Sequence, residues 1–365
     1  MSAIEIRLAQ EADNENILQL AQRCPQEGMI TFFVNRTPRF NTLHRITDPE
    51  AWHFVACKDD QIVGLVGVIH FKAMVVDKLC KIGYMLDLRV DNDHRSGITA
   101  FKLVKTAVDY LKQSDADMVI ANFLKDNKRP LVFTQGRGGL PPAFYLGDNR
   151  VHNILPLYKL KISNRFVIEK PTVDDMPELI ALYNQYAKAF RIAPDISLES
   201  FHHMINSIEG LTLDAFLVAR ENGKIKAVTA AWDEHLYKSY QVLKLNLPIK
   251  IVASLMRILS IFMKTPYPIR LNQPLRQLSL VLYAHDNCPE ALEQLFRKVN
   301  NQHLGANYTM ITLYAQEKDP VFNLVKKFVG VAVKSEMHLF AKDMSVFDKL
   351  KESETPVMFD LVQVL

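Results

Sequence analysis

Tyr84-Met85-Leu86-Asp87-Leu88-Arg89-Val90-Asp91-Asn92-Asp93-His94-Arg95-Ser96-Gly97-Ile98-Thr99-Ala100-Phe101-Lys102-Leu103-Val104 is the stretch on which the fold turns. It opens with the two-residue alternation of a strand and passes through a polar loop. It continues with Ile98, Phe101, Val104, Val108 and Leu111 at three-to-four spacing, the stripe of an amphipathic helix. Such a turn presents the N–H groups of residues 95–99 at a helix N-terminus, where unpaired donors and the helix dipole favour an anion. Gly97 lets a ligand approach the backbone and Arg95 supplies a cation, the chemistry of a diphosphate cradle. Neither GxGxxG nor GxxxxGK[ST] occurs, which argues against a Rossmann or P-loop nucleotide site.

Comparing the chain with itself extends this reading. Residues 6–20 resemble 168–182, with Asp13/Asp175, Ile17/Leu179 and Leu20/Leu182 coinciding at an offset of 162. His53-Phe54-Val55-Ala56-Cys57 through Ile62-Val63-Gly64 resembles Phe216-Leu217-Val218-Ala219-Arg220 through Ile225-Lys226-Ala227 at an offset of 163, and both read as hairpins. Leu86, Leu88 and Val90 match Leu278, Leu280 and Leu282, and Met118-Val119-Ile120 matches Met310-Ile311-Thr312, at an offset of 192. The expectation is an α+β (mixed α/β) protein of two tandem domains, 1–165 and 166–345, with a tail at 346–365. The second copy carries a helical insertion at about 235–275. Each domain would be a central, mostly antiparallel mixed sheet flanked by helices.

Leu88-Arg89-Val90, His94-Arg95, Gly97-Ile98 and Leu103-Val104 resemble motif A of the GNAT (GCN5-related N-acetyltransferase) superfamily, in its tandem two-domain type. Met118-Val119-Ile120-Ala121, followed by Asn127, Pro130, Leu131, Phe133 and Gly136, resembles that family's asparagine-bearing helix ending in a glycine. The resemblance implies an N-acetyltransferase that moves an acetyl group from acetyl-CoA to an amine. Its cofactor contacts would be Leu88, Arg89, Val90, Arg95, Ser96, Gly97, Ile98, Thr99, Asn127 and Thr134. Thr99 stands where glycine or alanine is usual, the loop before Gly97 is one residue short, and Thr134 stands where many members carry a tyrosine acid. In the second copy Asn287, Cys288 and Pro289 replace Arg95, Ser96 and Gly97, so coenzyme A binding is expected of the first copy alone. Two alternatives remain open: a longer-chain acyl-CoA transferase of the same fold, or a non-catalytic binding or sensor protein.

Acyl transfer to an amine needs a group to take the amine's proton and an acid for the departing thiolate. Asp87 is the base candidate and Tyr84 the alternate acid or substrate contact; an ion pair with Arg89 or Lys81 and a core aromatic are the bland readings of the two.

Composition limits the rest. The chain has 365 residues, 48% apolar and 23% charged, with net charge +4, an ordinary globular profile that does not suggest a nucleic-acid partner. Cys24, Cys57, Cys80 and Cys288 form no CxxC or CxxH pair and read as reduced thiols, so no metal is expected and a cytoplasmic location is. The expected partners are a small-molecule or peptide amine and a second copy of the chain, with no membrane contact. The segment Leu247–Lys264 reads as an apolar helix with a thin polar stripe at Lys250, Ser254, Arg257, Ser260 and Lys264. Core packing, a lid over an acyl or acceptor pocket, and a membrane-surface helix are its three readings.

Overall fold

A computed structural model of the chain describes residues 4–95, 98–125, 127, 130–305, 307–341 and 345–358. In chain order its elements are β1 (Glu5–Leu8), α1 (Asn14–Arg23), β2 (Ile30–Asn35), α2 (Thr42–Thr47), β3 (Trp52–Lys58), β4 (Gln61–Val75), β5 (Lys78–Val90), α3 (Ile98–Gln113), β6 (Met118–Leu124), β7 (Phe144–Ile154) and β8 (Val167–Glu169). They continue as α4 (Met176–Ala187), β9 (Ile192–Pro194), α5 (Leu198–Ser207), β10 (Phe216–Glu221), β11 (Lys224–Trp232), β12 (Ser239–Leu245), α6 (Leu247–Leu259), β13 (Pro274–Leu275), β14 (Gln277–His285), α7 (Pro289–Gln302), β15 (Met310–Gln316), α8 (Val321–Val325), β16 (Gly330–Ala341) and α9 (Ser345–Glu352).

The chain divides into two compact units, residues 1–27, 32–149 and 334–354 against 28–31, 150–333 and 355–365. Compactness and repetition thus partition it differently. β7 begins in the first unit and ends in the second, and β16 does the reverse.

In the first unit the strands follow the order β1-β3-β4-β5-β6-β16, antiparallel except for the parallel pair β5-β6. Period-two alternation sends Val55, Ile62 and Leu65 to α1, against Ile17, Leu18 and Leu20. Phe54, Ala56, Val66, Val68 and Met85 go to the other face, against Leu103, Val104, Ala107, Val108 and Leu111 of α3. Each fully buried leucine among them contributes about 2 kcal/mol. The buried stripe of α3 is rotated from the one its sequence suggests. Thr99 is wholly buried, while Ile98 is 60% exposed.

The second unit repeats the plan as β8-β10-β11-β14-β15, again antiparallel but for the parallel pair β14-β15. α7 buries Ala291, Leu292, Leu295, Phe296 and Val299 on this sheet. One sequence alignment needs correction. Gly64 faces Val90 as Ala227 faces His285, and Ile82 faces Met118 as Gln277 faces Met310. The hairpin keeps its offset of 163, but β5 and β14 align at 195 rather than 192. Leu86, Leu88 and Val90 therefore correspond to Val281, Tyr283 and His285. An odd slip exchanges the two faces of a strand. It arose because short apolar runs match in several registers, and because seven residues separate β5 from α3 while three separate β14 from α7.

The insertion holds α6, whose N-cap Asn246 accepts the Ile249 N–H through Oδ1 at 3.1 Å. Its packing is slight. Ala253 is its one buried residue, seated with Val242, Leu245, Leu275 and Met310. Among the described residues no helix is long and apolar enough to cross a membrane.

Candidate active site

β5 and β6 pair from Ile82–Met118 to Met85–Ala121 and then part. β6 runs on to Leu124, held on its other side where Met337, Glu336 and Ser335 face Asn122, Phe123 and Leu124. The stretch Leu86–Val90 is left with one edge unpaired by β6. Its ladder to β4 is interrupted at the same level, because Gly67 faces Leu86 and Leu65 faces Arg89. Asp87 and Leu88 thus lie opposite Val66 alone, a bulge that takes one residue's backbone groups out of the ladder. Asp87 has φ +54°, a conformation that aspartate adopts more readily than most residues.

Asp87 is clamped. Arg36 Nη1 donates to its two oxygens at 2.9 and 3.1 Å, Arg89 Nη2 donates to Oδ1 at 3.0 Å, and His44 Nε2 lies 3.9 Å from Oδ2. Burial by itself would raise its pKa, but Arg36, Arg89 and His44 overcome this and hold the carboxyl far below the usual carboxylate range. A carboxylate with so little proton affinity is a fixed charge that orders its surroundings, not the proton acceptor that the sequence suggests. The Tyr84 phenol is buried in the core, and burial raises its pKa above the ordinary value, so it stays protonated.

Behind Asp87 stand two histidines that the sequence did not single out. His44 Nδ1 and His53 Nε2 are 2.9 Å apart, with their rings stacked at 5.1 Å. Burial lowers His53 to about 4, so its imidazole is neutral at pH 7. Gly67 makes the room: a Cβ there would meet Leu86 Cδ1 at 3.0 Å and His53 Cδ2 at 3.1 Å. A histidine opening the apolar run Phe54-Val55-Ala56, with a glycine in the neighbouring strand, was the available signal. Arg36 and His44 had none, since only folding brings them to Asp87.

His53 also borders a pocket of about 440 Å³ in the first unit, lined in part by Glu11, Arg45, Glu50, Trp52 and Tyr110. The Trp52 and Tyr110 rings lie 4.5 Å apart. Glu11 is paired with Arg39 at 3.0 Å and Arg45 shares the lining, so the pocket offers aromatic faces beside charges of both signs.

Of the expected cofactor contacts, Ser96 and Gly97 lie outside the described residues. Arg95 follows the bulged strand and folds back on it, Nε donating to the Val90 carbonyl at 3.0 Å, while its amide donates to Asn92 at 3.4 Å. Leu88 is half-buried and Val90 buried. Thr99 points inward, its hydroxyl donating to the His94 carbonyl at 3.2 Å. Asn127 is exposed and Thr134 half-buried, both on the connection after β6. The helix expected there is only a 3-10 turn, Pro130–Thr134. Gly136, Gly138 and Gly139, at φ +71°, +65° and +81°, then carry the chain away in a conformation that no right-handed helix uses.

The second unit keeps the geometry and loses the charge. β14 and β15 part after Leu280–Leu313, and Leu282 (φ +53°) and Tyr283 form a bulge opposite Thr229. Leucine replaces the clamped aspartate. Near this bulge Tyr283 donates its hydroxyl to Asp319 Oδ2 at 2.7 Å and the Val321 N–H donates to Oδ1 at 2.8 Å, while burial raises Asp319 to about 6. No group of metal-ligating side chains occurs among the described residues.

No protein-family model and no curated protein sequence matches the chain. Solved structures do. A structure of Saccharomyces cerevisiae N-myristoyltransferase with bound myristoyl-CoA is similar at TM-score 0.63 and 15% identity, over 93% of this chain and 83% of that one. A second, with myristoyl-CoA and inhibitors, is similar at TM-score 0.63 and 16% identity, over 93% and 80% of the chains. At this identity the likeness establishes the fold: mixed α/β, with tandem repeated domains.

Proposed function

From the premise that this chain carries a tandem GNAT fold, we propose that it is an N-acyltransferase that takes an acyl group from acyl-coenzyme A and passes it to an amine. The observation that carries the proposal is the parting of β5 and β6 at the level of the bulge at Asp87 and Leu88. A thioester lying in that gap would meet backbone donors released from both ladders, the groups that stabilise a developing oxyanion. The amine nitrogen bonds to the thioester carbon, the carbon–sulfur bond breaks, and the amine's proton ends on the thiolate or in solvent. Asp87 fixes the bulge and its electrostatics through Arg36 and Arg89. The diphosphate is assigned to the turn at Arg95, Ser96 and Gly97, and Asn127 and Thr134 to the edge of that site.

The 440 Å³ pocket is the acceptor site in this reading. His53, Gly67 and Leu86 lie in one row across three strands, so the Cα atoms of His53 and Leu86 are about 10 Å apart and the imidazole leans over Gly67 into that span. That span suits a small-molecule or peptide amine reaching in on a side chain. His53, buried, held neutral and with Nε2 2.9 Å from His44 Nδ1, shapes the inner wall of this site rather than taking the amine's proton, which passes to the thiolate or to solvent. The two repeats, 1–165 and 166–345, derive from one duplicated domain, and the matching bulges at Asp87 and Leu282 support this.

Acetyl-CoA is the donor that the sequence motifs imply. A longer donor is favoured by one observation, the likeness to structures that hold myristoyl-CoA. Thermal shift with free, acetyl-, octanoyl- and myristoyl-coenzyme A, together with thiol release over an amine panel, tests the whole reading. Coenzyme A should stabilise the native chain and not Gly97→Pro, which removes one amide from the turn. Equal shifts in both would move the site elsewhere, and binding without thiol release to any amine would leave a sensor protein.

A further inference from the structure

Between Glu234 and Asp286 the chain contains no acidic residue, yet it holds Lys238, Lys244, Lys250, Arg257, Lys264, Arg270 and Arg276. These seven basic residues stand against a net charge of +4 for the whole chain. Lys238 is buried against Glu234 at 3.1 Å, and Arg276 stacks on Tyr267 at 4.4 Å. The other five are exposed, and among the described residues none of them takes part in an ion pair.

The same segment presents the largest run of exposed apolar side chains in the described structure. Leu247 is 70% exposed, Ile251 60%, Leu255 56%, Ile258 56%, Ile261 76% and Phe262 80%. At about 100° per residue, Ile249, Ala253 and Met256 form the stripe that α6 turns toward its own unit. Ile251, Leu255 and Ile258 lie on the opposite side, and Lys250 and Arg257 fall about a quarter turn away on one flank. The helix therefore packs by its narrow side and shows its broad apolar side outward, bordered by cations.

We infer that α6 and the turn after it form a docking surface for an anionic lipid bilayer. An apolar face flanked by Lys and Arg lies in the headgroup plane, with the aliphatic stems of the cations reaching along it. Charge selects this occupant. A second copy packed by the same patch around a two-fold axis would bring five cations without ion pairs against five, Arg270 among them although it lies over the Tyr267 ring at 5.1 Å, whereas anionic headgroups meet them with the opposite sign. The inference runs against the expectation, drawn from sequence, of no membrane contact. It takes up the third of the three readings the sequence left open for this helix.

Co-sedimentation of the full chain with phosphatidylcholine vesicles, with and without phosphatidylglycerol, tests this. Binding should require the anionic lipid and weaken strongly at about 1 M salt, where the Debye length is about 3 Å. Lys250→Gln, Arg257→Gln and Lys264→Gln together should weaken it about 100-fold, roughly fivefold per charge. Leu255→Glu with Ile258→Glu should abolish binding while leaving the melting temperature unchanged, since both residues are already in water. Equal binding to neutral vesicles, or none to anionic ones, overturns the inference. So does a concentration-dependent dimer in sedimentation velocity that the glutamate variant dissolves.

Discussion

Asp87→Asn separates the charge of the bulge from its shape. Asparagine tolerates φ +54° as aspartate does, so the backbone has no reason to move. What changes is that Arg36 and Arg89, whose side chains are 12% and 10% exposed, lose the carboxylate they share. Stranding a nearly buried charge costs about 3–5 kcal/mol. In a unit of this size each kcal/mol lowers the melting temperature by about 2–4 °C, so calorimetry at pH 7 should record a fall of roughly 6–20 °C. The pH profile carries the sign. A depressed carboxylate contributes its stability fully above the unfolded value of 3.8 and loses it only on acidification below that. The deficit of the variant should therefore be flat from pH 8 to pH 5 and close only in stronger acid. A cost below about 1 kcal/mol, or a deficit that shrinks between pH 8 and pH 5, would refute the clamp and return Asp87 to the role of a titrating base.

His53 and Asp319 should give opposite slopes over nearly the same pH range. The folded value of His53, about 4, lies below 6.5, so its contribution is present above pH 6.5 and is lost as pH falls toward 4. This is a change of up to about 3 kcal/mol, which His53→Gln should remove from urea titrations. Asp319, raised to about 6, contributes fully below pH 3.8 and loses that contribution as pH rises through 6. Asp319→Asn should therefore stabilise the second unit by about 2–3 kcal/mol at pH 7–8 and by almost nothing at pH 4, and a slope of the other sign would contradict its burial. Gly67→Ala should cost about 1–3 kcal/mol, because the new methyl presses on Leu86 and His53; an unchanged urea midpoint would show that the row has slack.

The strand, turn and helix from Tyr84 to Val104 were legible because a change of period from two to 3.6 is local and strong. The duplicated hairpins were legible for the same reason: Phe54-Val55-Ala56 and Leu217-Val218-Ala219 keep the same spacing to their turns. The register of β14 was not, since Leu278, Leu280 and Leu282 match β5 well by hydrophobicity while the correct frame carries a bulge. Of the two readings the sequence left for Asp87, base or ion-pair partner of Arg89, the structure shows the ion pair. Arg36 and His44 sit in segments with no pattern of their own, and their effect on the carboxyl exists only after folding. The sequence left three readings of α6 open for a different reason: hydrophobicity says that a side chain prefers burial, not that the chain supplies it.

The closing strand has a consequence for synthesis. Residues 335–341 of β16 complete the first unit beside β6, facing residues 118–124 that leave the ribosome more than two hundred positions earlier. At about 5–20 residues per second, β6 waits roughly 10–40 s with an open edge before its partner is made. During that interval the nascent chain is exposed to strand-adding neighbours, and a chain truncated anywhere between residues 150 and 333 leaves the first unit without its last strand.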